Sequence, residues 1–195
     1  MSIPIALTIA GSDSGGGAGI QADLKTFSAL GVYGASVITA ITAQNTRAVT
    51  AVEMASPTMV AAQIDAVFGD LDVRAVKIGM VGGADVITTV ARHLRLALDA
   101  NPVPVVLDPV MVAKSGDALL ADQAVAALCD QLLPLASVLT LPSGATAYSV
   151  PAPPPKNSVP SGPAVIRSML SAEMNSATTR PSSAFAGCAR TAASE

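Results

Sequence analysis

Residues 11–23 read GSDSGGGAGIQAD, with five glycines between positions 11 and 19, followed by Gln21 and Asp23. A loop this poor in side chains lets backbone approach a flat ligand closely and offers N–H donors at a helix start. Three chemistries compete for it. The phosphate cradle GxxxxGK[ST] fails, because Gly17 occupies the lysine position. A dinucleotide fingerprint, GxGxxA, survives as Gly17 to Ala22, but it needs an acid at the end of the following strand to hold the ribose. That strand ends Gln44-Asn45-Thr46, without one. The third chemistry is a floor for a small molecule. Asp23, early in the helix, together with Gln44 and Met80 at the ends of later apolar runs, would gather where open α/β sheets bind ligands. An aspartate and a glutamine supply acceptors and one amide donor, which suits an aminopyrimidine edge better than a phosphate. The competing role for Asp23 is that of an ordinary surface carboxylate near a helix N-terminus.

Composition narrows the partners. The chain has 195 residues, half of them apolar, with no Trp, two Tyr and three Phe, so its core must come from Ala, Val, Leu, Ile and Met. A net charge of −3 spread through the sequence argues against nucleic acid, which needs a basic patch. Cys129 and Cys188 form no CxxC and no ligand cluster with His93, the single histidine, and read as free thiols in a reducing cytosol. No apolar run approaches the roughly 18 residues of a membrane span, and the N-terminal segment has no basic start. The expectation is a cytoplasmic protein that binds neither membrane nor nucleic acid.

The elements that must carry these residues alternate in period. Apolar runs at 3–11, 35–44, 74–81, 103–112 and 136–140 are rich in Val, Ile and Leu, as in parallel strands covered on both faces. Helical patterns fall between them. In 19–31, Ile20, Leu24, Phe27 and Leu30 form a stripe ending at Gly31, a good residue just past a helix end. Ser56 and Pro57 read as N-cap and first helical residue of the next helix. Patterns over 84–100 and 121–135 complete a βαβαβαβαβ order, which predicts a three-layer α/β domain with a mainly parallel sheet.

After Thr140 the rhythm stops. Residues 141–195 hold eight of the fourteen prolines, and Ser, Ala and Thr fill most of the rest. Such a composition buries too little apolar surface to offset chain entropy, so the expected division is a domain over 1–140 and a disordered tail over 141–195.

The stretches ALTIAGSDSGGGAGIQADLKTFSALGVYGASVITAITAQNT, VKIGMV and VVLDPVMVAKSGDALL resemble the hydroxymethylpyrimidine/phosphomethylpyrimidine kinases of thiamine biosynthesis, within the ribokinase-like superfamily. Pyridoxal kinases are the neighbouring alternative. The resemblance covers about residues 3–140. It implies a three-layer α/β/α fold, and ATP- and Mg²⁺-dependent phosphorylation of 4-amino-5-hydroxymethyl-2-methylpyrimidine and then of its monophosphate. It also implies a homodimer. By the same resemblance the pyrimidine pocket comprises Gly11, Ala18, Asp23, Gln44, Met80 and Val110. Asp23 and Gln44 would pair with the ring nitrogens and the amine, while Met80 and Val110 would wall the ring. Asp108 would stand near the phosphates and the metal; a turn acid before Pro109 is its plain alternative. Lys114 is the nearest loop cation.

The family pattern breaks inside a motif. The relatives continue LTPNLPEA, and later carry a KGGH strand and a GTGC loop that forms the anion hole with its cysteine base. This chain reads LTLPSGATAYS, and its Gly187-Cys188 pair lacks the helix pattern that should follow, so no catalytic residue is assigned. A shift of reading frame after Thr140 accounts for the abrupt change, and sequencing the encoding DNA tests it. The expectation is a ribokinase-like domain incomplete on its C-terminal side, with impaired turnover. Two other functional classes remain: a non-catalytic pyrimidine-binding protein, and an NAD-dependent oxidoreductase on the strength of the GxGxxA fragment.

Overall fold

The computed structural model describes residues 3–109, 122–140 and 148–149. A six-stranded sheet has the order β2-β1-β5-β6-β7-β8, with β1 at Ile5–Ala10, β2 at Tyr33–Ile38, β5 at Val73–Ile78, β6 at Val105–Leu107, β7 at Val138–Leu139 and β8 at Tyr148–Ser149. All neighbours run parallel except β7 and β8. The helices are α1 (Gly19–Ala29), α2 (Pro57–Asp70), α3 (Ala84–Ala100) and α4 (Asp122–Ala127). Mainly parallel α/β architecture is therefore as the sequence predicts.

The order places a reversal at β1. The chain steps from β1 to β2 on one side, then crosses back to β5 on the other. Because crossovers share one hand, opposite steps put their helices on opposite faces. α1 packs through Leu24 and Phe27 with Ala6, Val32 and Ala75 on one face. α2, α3 and α4 bury Val60, Ile64, Val90, Leu94 and Ala124 with Leu7, Ile9, Val76 and Ile78 on the other. The alternation of strand side chains sorts the two cores: Leu7 and Ile9 face one way, Ala6 and Thr8 the other. The crevice at such a reversal, beyond the C-terminal strand ends, is where α/β sheets take ligands.

Local chemistry explains the element ends. Ser56 Oγ accepts from the Met59 N–H at 3.2 Å with Pro57 beginning α2, as its sequence predicts. Gly31 follows α1 at φ 72°, the left-handed conformation expected of it. Gln63 of α2 accepts from the Ile38 N–H at 2.9 Å and donates to the Ile38 carbonyl at 3.1 Å, so a side-chain amide occupies the open edge of β2.

Several expectations need correction. The run 35–44 is two strands, not one. Thr39 leaves the sheet, and β3 (Ala40–Gln44) pairs antiparallel with β4 (Val49–Met54) in a separate ribbon. The turn between them is built by Asn45, whose side-chain oxygen accepts from the N–H groups of Arg47 and Ala48 at 2.8 and 3.1 Å. Leu30, placed on the buried stripe, is exposed. The helix over 121–135 widens to a π-turn at Leu128–Leu132 and tightens to a 3-10 turn at Leu133–Leu135, because Pro134 has no N–H to continue an α-helix. Cys129 is disulfide-bonded, which corrects its reading as a free thiol. Tyr148–Ser149 forms a strand against β7 where no element was expected. Most of 141–195, including Cys188, lies outside the described residues.

Candidate functional site

Beneath the crevice the register of β1 and β5 sets a lane of side chains facing α1. Ala6 lies beside Ala75, and Thr8 beside Lys77. Asp23 and Phe27, one helical turn apart on α1, cover these pairs in turn: the phenyl ring packs with the two alanines, and the carboxylate meets the hydroxyl and the ammonium. Thr8 Oγ1 donates to Asp23 Oδ2 at 2.5 Å, and Lys77 Nζ donates to Oδ1 and Oδ2 at 3.2 and 3.3 Å. Thr8, Asp23 and Lys77 are all buried. Removing one partner of such a buried pair would cost about 3–5 kcal/mol, since the other charge is left alone.

Asp108 follows β6, two residues beyond Val106, which pairs with Lys77. Its Oδ2 lies 3.9 Å from Lys77 Nζ, a longer approach than that to Asp23. Burial raises the Asp108 pKa above the ordinary carboxylate range, against the opposing pull of Lys77 and of a hydrogen bond from Thr140; Asp23 adds to the rise. One ammonium thus serves two carboxylates.

The glycine loop is closed by its own aspartate. Asp13 is buried, and its Oδ1 accepts from the Gly15 N–H at 2.8 Å, while Oδ2 accepts from Gly17 and Ala18 at 2.9 and 2.8 Å. The Asp13 N–H donates to Gln21 Oε1, Gly16 N–H to the Asp13 carbonyl, and Ile20 N–H to the Gly11 carbonyl. The donors that would cradle a phosphate are therefore already taken by a carboxylate of the same loop. This removes the physical basis of the dinucleotide reading.

The residues expected to form the pocket occupy two levels. Gly11 and Met80 adjoin: the Gly11 N–H donates to the Met80 carbonyl at 3.1 Å, and a Cβ on Gly11 would stand 2.5 Å from Met80 Cε. Ala18 is the residue before α1 and is tied to Asp13. Gln44 ends β3, where its backbone N–H and carbonyl both bond Ser14 Oγ at 2.7 Å. The Gln44 side-chain amide has no hydrogen-bond partner among the described residues. Asp23 lies below, against β1 and β5. Gly11, Ala18, Gln44 and Met80 thus border one loop at the strand tips, while the Asp23 carboxylate is buried against Thr8 and Lys77. Val110 and Lys114 lie outside the described residues.

Asp13, Thr8 and Lys77 escape the sequence reading. Asp13 carried a signal, since an aspartate two residues before a glycine run is a turn-forming pattern. Lys77 carried one too, as a charge set deep in an apolar run, three residues past Arg74 at the start of the strand. For Mg²⁺, the donor set offers one carboxylate, Asp108; no group of three or more His, Cys, Asp or Glu side chains is placed to hold a metal among the described residues. A single carboxylate fits a Mg²⁺ that arrives with nucleotide phosphates and keeps several waters.

A mainly parallel sheet reversing at β1, with a glycine loop over its strand tips, is the α/β architecture of the ribokinase-like kinases found among the solved structures it resembles. The model of the family described as phosphomethylpyrimidine kinase matches residues 13–147. The chain belongs to that family. A hydroxymethylpyrimidine/phosphomethylpyrimidine kinase of Rhizobium meliloti is 70% identical over 136 residues, which cover 70% of this chain and 50% of the relative. One from Escherichia coli is 55% identical over 148 residues, covering 75% and 54%. Among solved structures, a phosphomethylpyrimidine kinase of Clostridium difficile aligns with TM-score 0.65 and 54% identity, over 70% of this chain and 58% of that one. A Staphylococcus aureus pyridoxal kinase in complex with pyridoxal aligns with TM-score 0.62 and 32% identity, over 71% and 50%. The chain spans about half the length of the curated relatives it matches.

Proposed function

We propose that this chain carries the pyrimidine-binding half of a kinase that transfers the γ-phosphoryl group of ATP, with Mg²⁺, to 4-amino-5-hydroxymethyl-2-methylpyrimidine and to its monophosphate. The observation that carries this reading is the glycine loop: its amides are consumed by Asp13, so it serves as a shaped surface for a flat ring and not as an anion cradle. At its edge Gln44 has a side-chain amide unpaired among the described residues, which offers a donor and an acceptor to an aminopyrimidine edge. Gly11, without a side chain, admits Met80 against its backbone, and the Met80 thioether is a suitable wall for an aromatic ring. Asp23 supplies the negative floor, and Val110, outside the described residues, is assigned to the wall by the family resemblance alone. Asp108 is the residue that would contribute to a bound Mg²⁺, which would neutralise charge on the transferring group.

Phosphoryl transfer depends on positioning and on groups that stabilise charge around the moving phosphoryl. We assign residues 1–140 to the kinase domain and place none of the anion-hole apparatus in 141–195, so pyrimidine binding should exceed turnover in this chain. A cytoplasmic homodimer is part of the same reading; Ile41, Val52 and Met54 on the β3–β4 ribbon are exposed apolar residues available to a second copy.

Calorimetry on the 195-residue chain with the hydroxymethylpyrimidine, pyridoxal, ATP and NAD tests the reading. Pyrimidine binding stronger than that of the other three is the expected result. Binding of NAD, or preference for pyridoxal, would overturn it. Pyrimidine-dependent release of ADP distinguishes a working kinase from a non-catalytic binder.

A further inference from the structure

Lys77 stands out among the groups that the pyrimidine reading does not use. It is buried in the middle of the sheet, in a strand whose other inward residues are apolar. Its ammonium reaches both oxygens of Asp23 and stands 3.9 Å from Asp108. Stability does not account for such a pair. Two well-packed aliphatic side chains of similar volume would avoid the desolvation of both charges and would hold the sheet against α1 at least as well.

Space has been left for it. A Cβ on Gly79 would lie 3.1 Å from Lys77 Nζ, so the absence of a side chain there gives the ammonium its position between the two strand ends. Thr8, in register with Lys77, adds a hydroxyl from the neighbouring strand. The two donors divide the Asp23 carboxylate unequally. Oδ2 receives both Thr8 and Lys77, whereas Oδ1 receives Lys77 alone. An ionised carboxylate oxygen has two lone-pair directions, so Oδ1 is the atom able to accept one more donor. Thr8 fixes the rotation of the group, and Lys77 holds it in place.

We propose that Lys77, with Thr8 as its partner, is a positioning residue: it holds Asp23 in one orientation, with Oδ1 presented to the amino group of the pyrimidine. The proposal rests on the pyrimidine reading for the identity of the ligand and on the geometry above for the role of Lys77. Lys77 itself touches no substrate.

The test uses the 195-residue chain with Lys77→Met, Lys77→Arg and Thr8→Val. Binding of 4-amino-5-hydroxymethyl-2-methylpyrimidine is measured by calorimetry. The Asp23 side-chain carboxyl resonance is followed by ¹³C NMR in aspartate-labelled protein, assigned with Asp23→Asn. Lys77→Met should weaken binding by tenfold or more, and Lys77→Arg should recover part of the loss. Thr8→Val, nearly isosteric and neutral in charge, should fold and weaken binding about threefold, with the carboxyl resonance displaced. A folded Lys77→Met that binds as tightly as the wild type overturns the proposal. Should Lys77→Met fail to fold, Thr8→Val decides: wild-type affinity with an unmoved resonance overturns it. If the wild type binds no pyrimidine, the ligand assignment falls, and the resonance alone judges Lys77. Displacement in Thr8→Val and Lys77→Arg then supports the positioning role, and an unmoved resonance in both refutes it.

Discussion

Asp13 is the most sensitive point of the glycine loop. Replacing it with Ala removes the acceptor from three N–H groups, those of Gly15, Gly17 and Ala18, held at 2.8, 2.9 and 2.8 Å. Hydrogen bonds to a charged group contribute about 1.5–3 kcal/mol each, and a donor left unpaired in the interior costs about 1–3 kcal/mol. The three bonds share one carboxylate and do not add fully. Gly15 and Gly17 are exposed, so water can reach their amides, while Ala18 is half-buried at the start of α1. The net loss should therefore be about 2–4 kcal/mol, a large part of the roughly 5–15 kcal/mol that holds a domain folded. For a domain of this size that corresponds to a fall in Tm of about 10 °C, measured by calorimetry or by circular dichroism. Removing the carboxylate should also vacate the ring of donors. Inorganic phosphate at tens of millimolar should then raise the Tm of Asp13→Ala and leave that of the wild type unchanged beyond the general salt effect. The reasoning is refuted if Asp13→Ala melts within 2 °C of the wild type, or if phosphate stabilises both proteins equally.

Gly19 opens α1 at φ 56°, and a Cβ there would collide with the Gly11 carbonyl; Gly19→Ala should cost about 2–4 kcal/mol, read as a shift in the denaturant midpoint, whereas Gly31→Ala, at φ 72° with open space, should cost only about 1 kcal/mol. Gln63→Ala should lower stability by about 1–3 kcal/mol by unpairing both the N–H and the carbonyl of Ile38, and should speed amide exchange at Ile38 above that of its strand neighbours. Asp108 has a raised pKa in the fold, so the native state takes up its proton more readily than the unfolded chain. Its contribution to stability is then fully present below the ordinary carboxylate range and is lost as pH rises through the raised value. Urea titrations across that window should show Asp108→Asn with a flatter profile than the wild type and a higher stability on the neutral side.

The elements legible in the sequence were those whose pattern and end signals agree. β1 sits inside its apolar run, and α2 begins where Ser56 and Pro57 place it, because cap and turn chemistry act within a few residues. The β3–β4 ribbon was not legible. Its six β4 positions are exposed, so no burial imposes a pattern, and the apolar run of β2 continues into β3 with only Thr39 at the bend. The site divides in the same way. Gly11, Ala18, Gln44 and Met80 stand at element ends, where residue type and position in the run indicate the crevice. Thr8 and Lys77 are interior strand residues, and their meaning lies in the register Thr8–Lys77 and in the phase of α1, which brings Asp23 over that pair. A shift of one residue in either strand would turn its polar group to the opposite face, among Leu7, Ile9, Val76 and Ile78. The buried charges therefore penalise wrong pairings of β1 and β5 more strongly than alanines would, so this lane of side chains helps to fix the register of the two central strands.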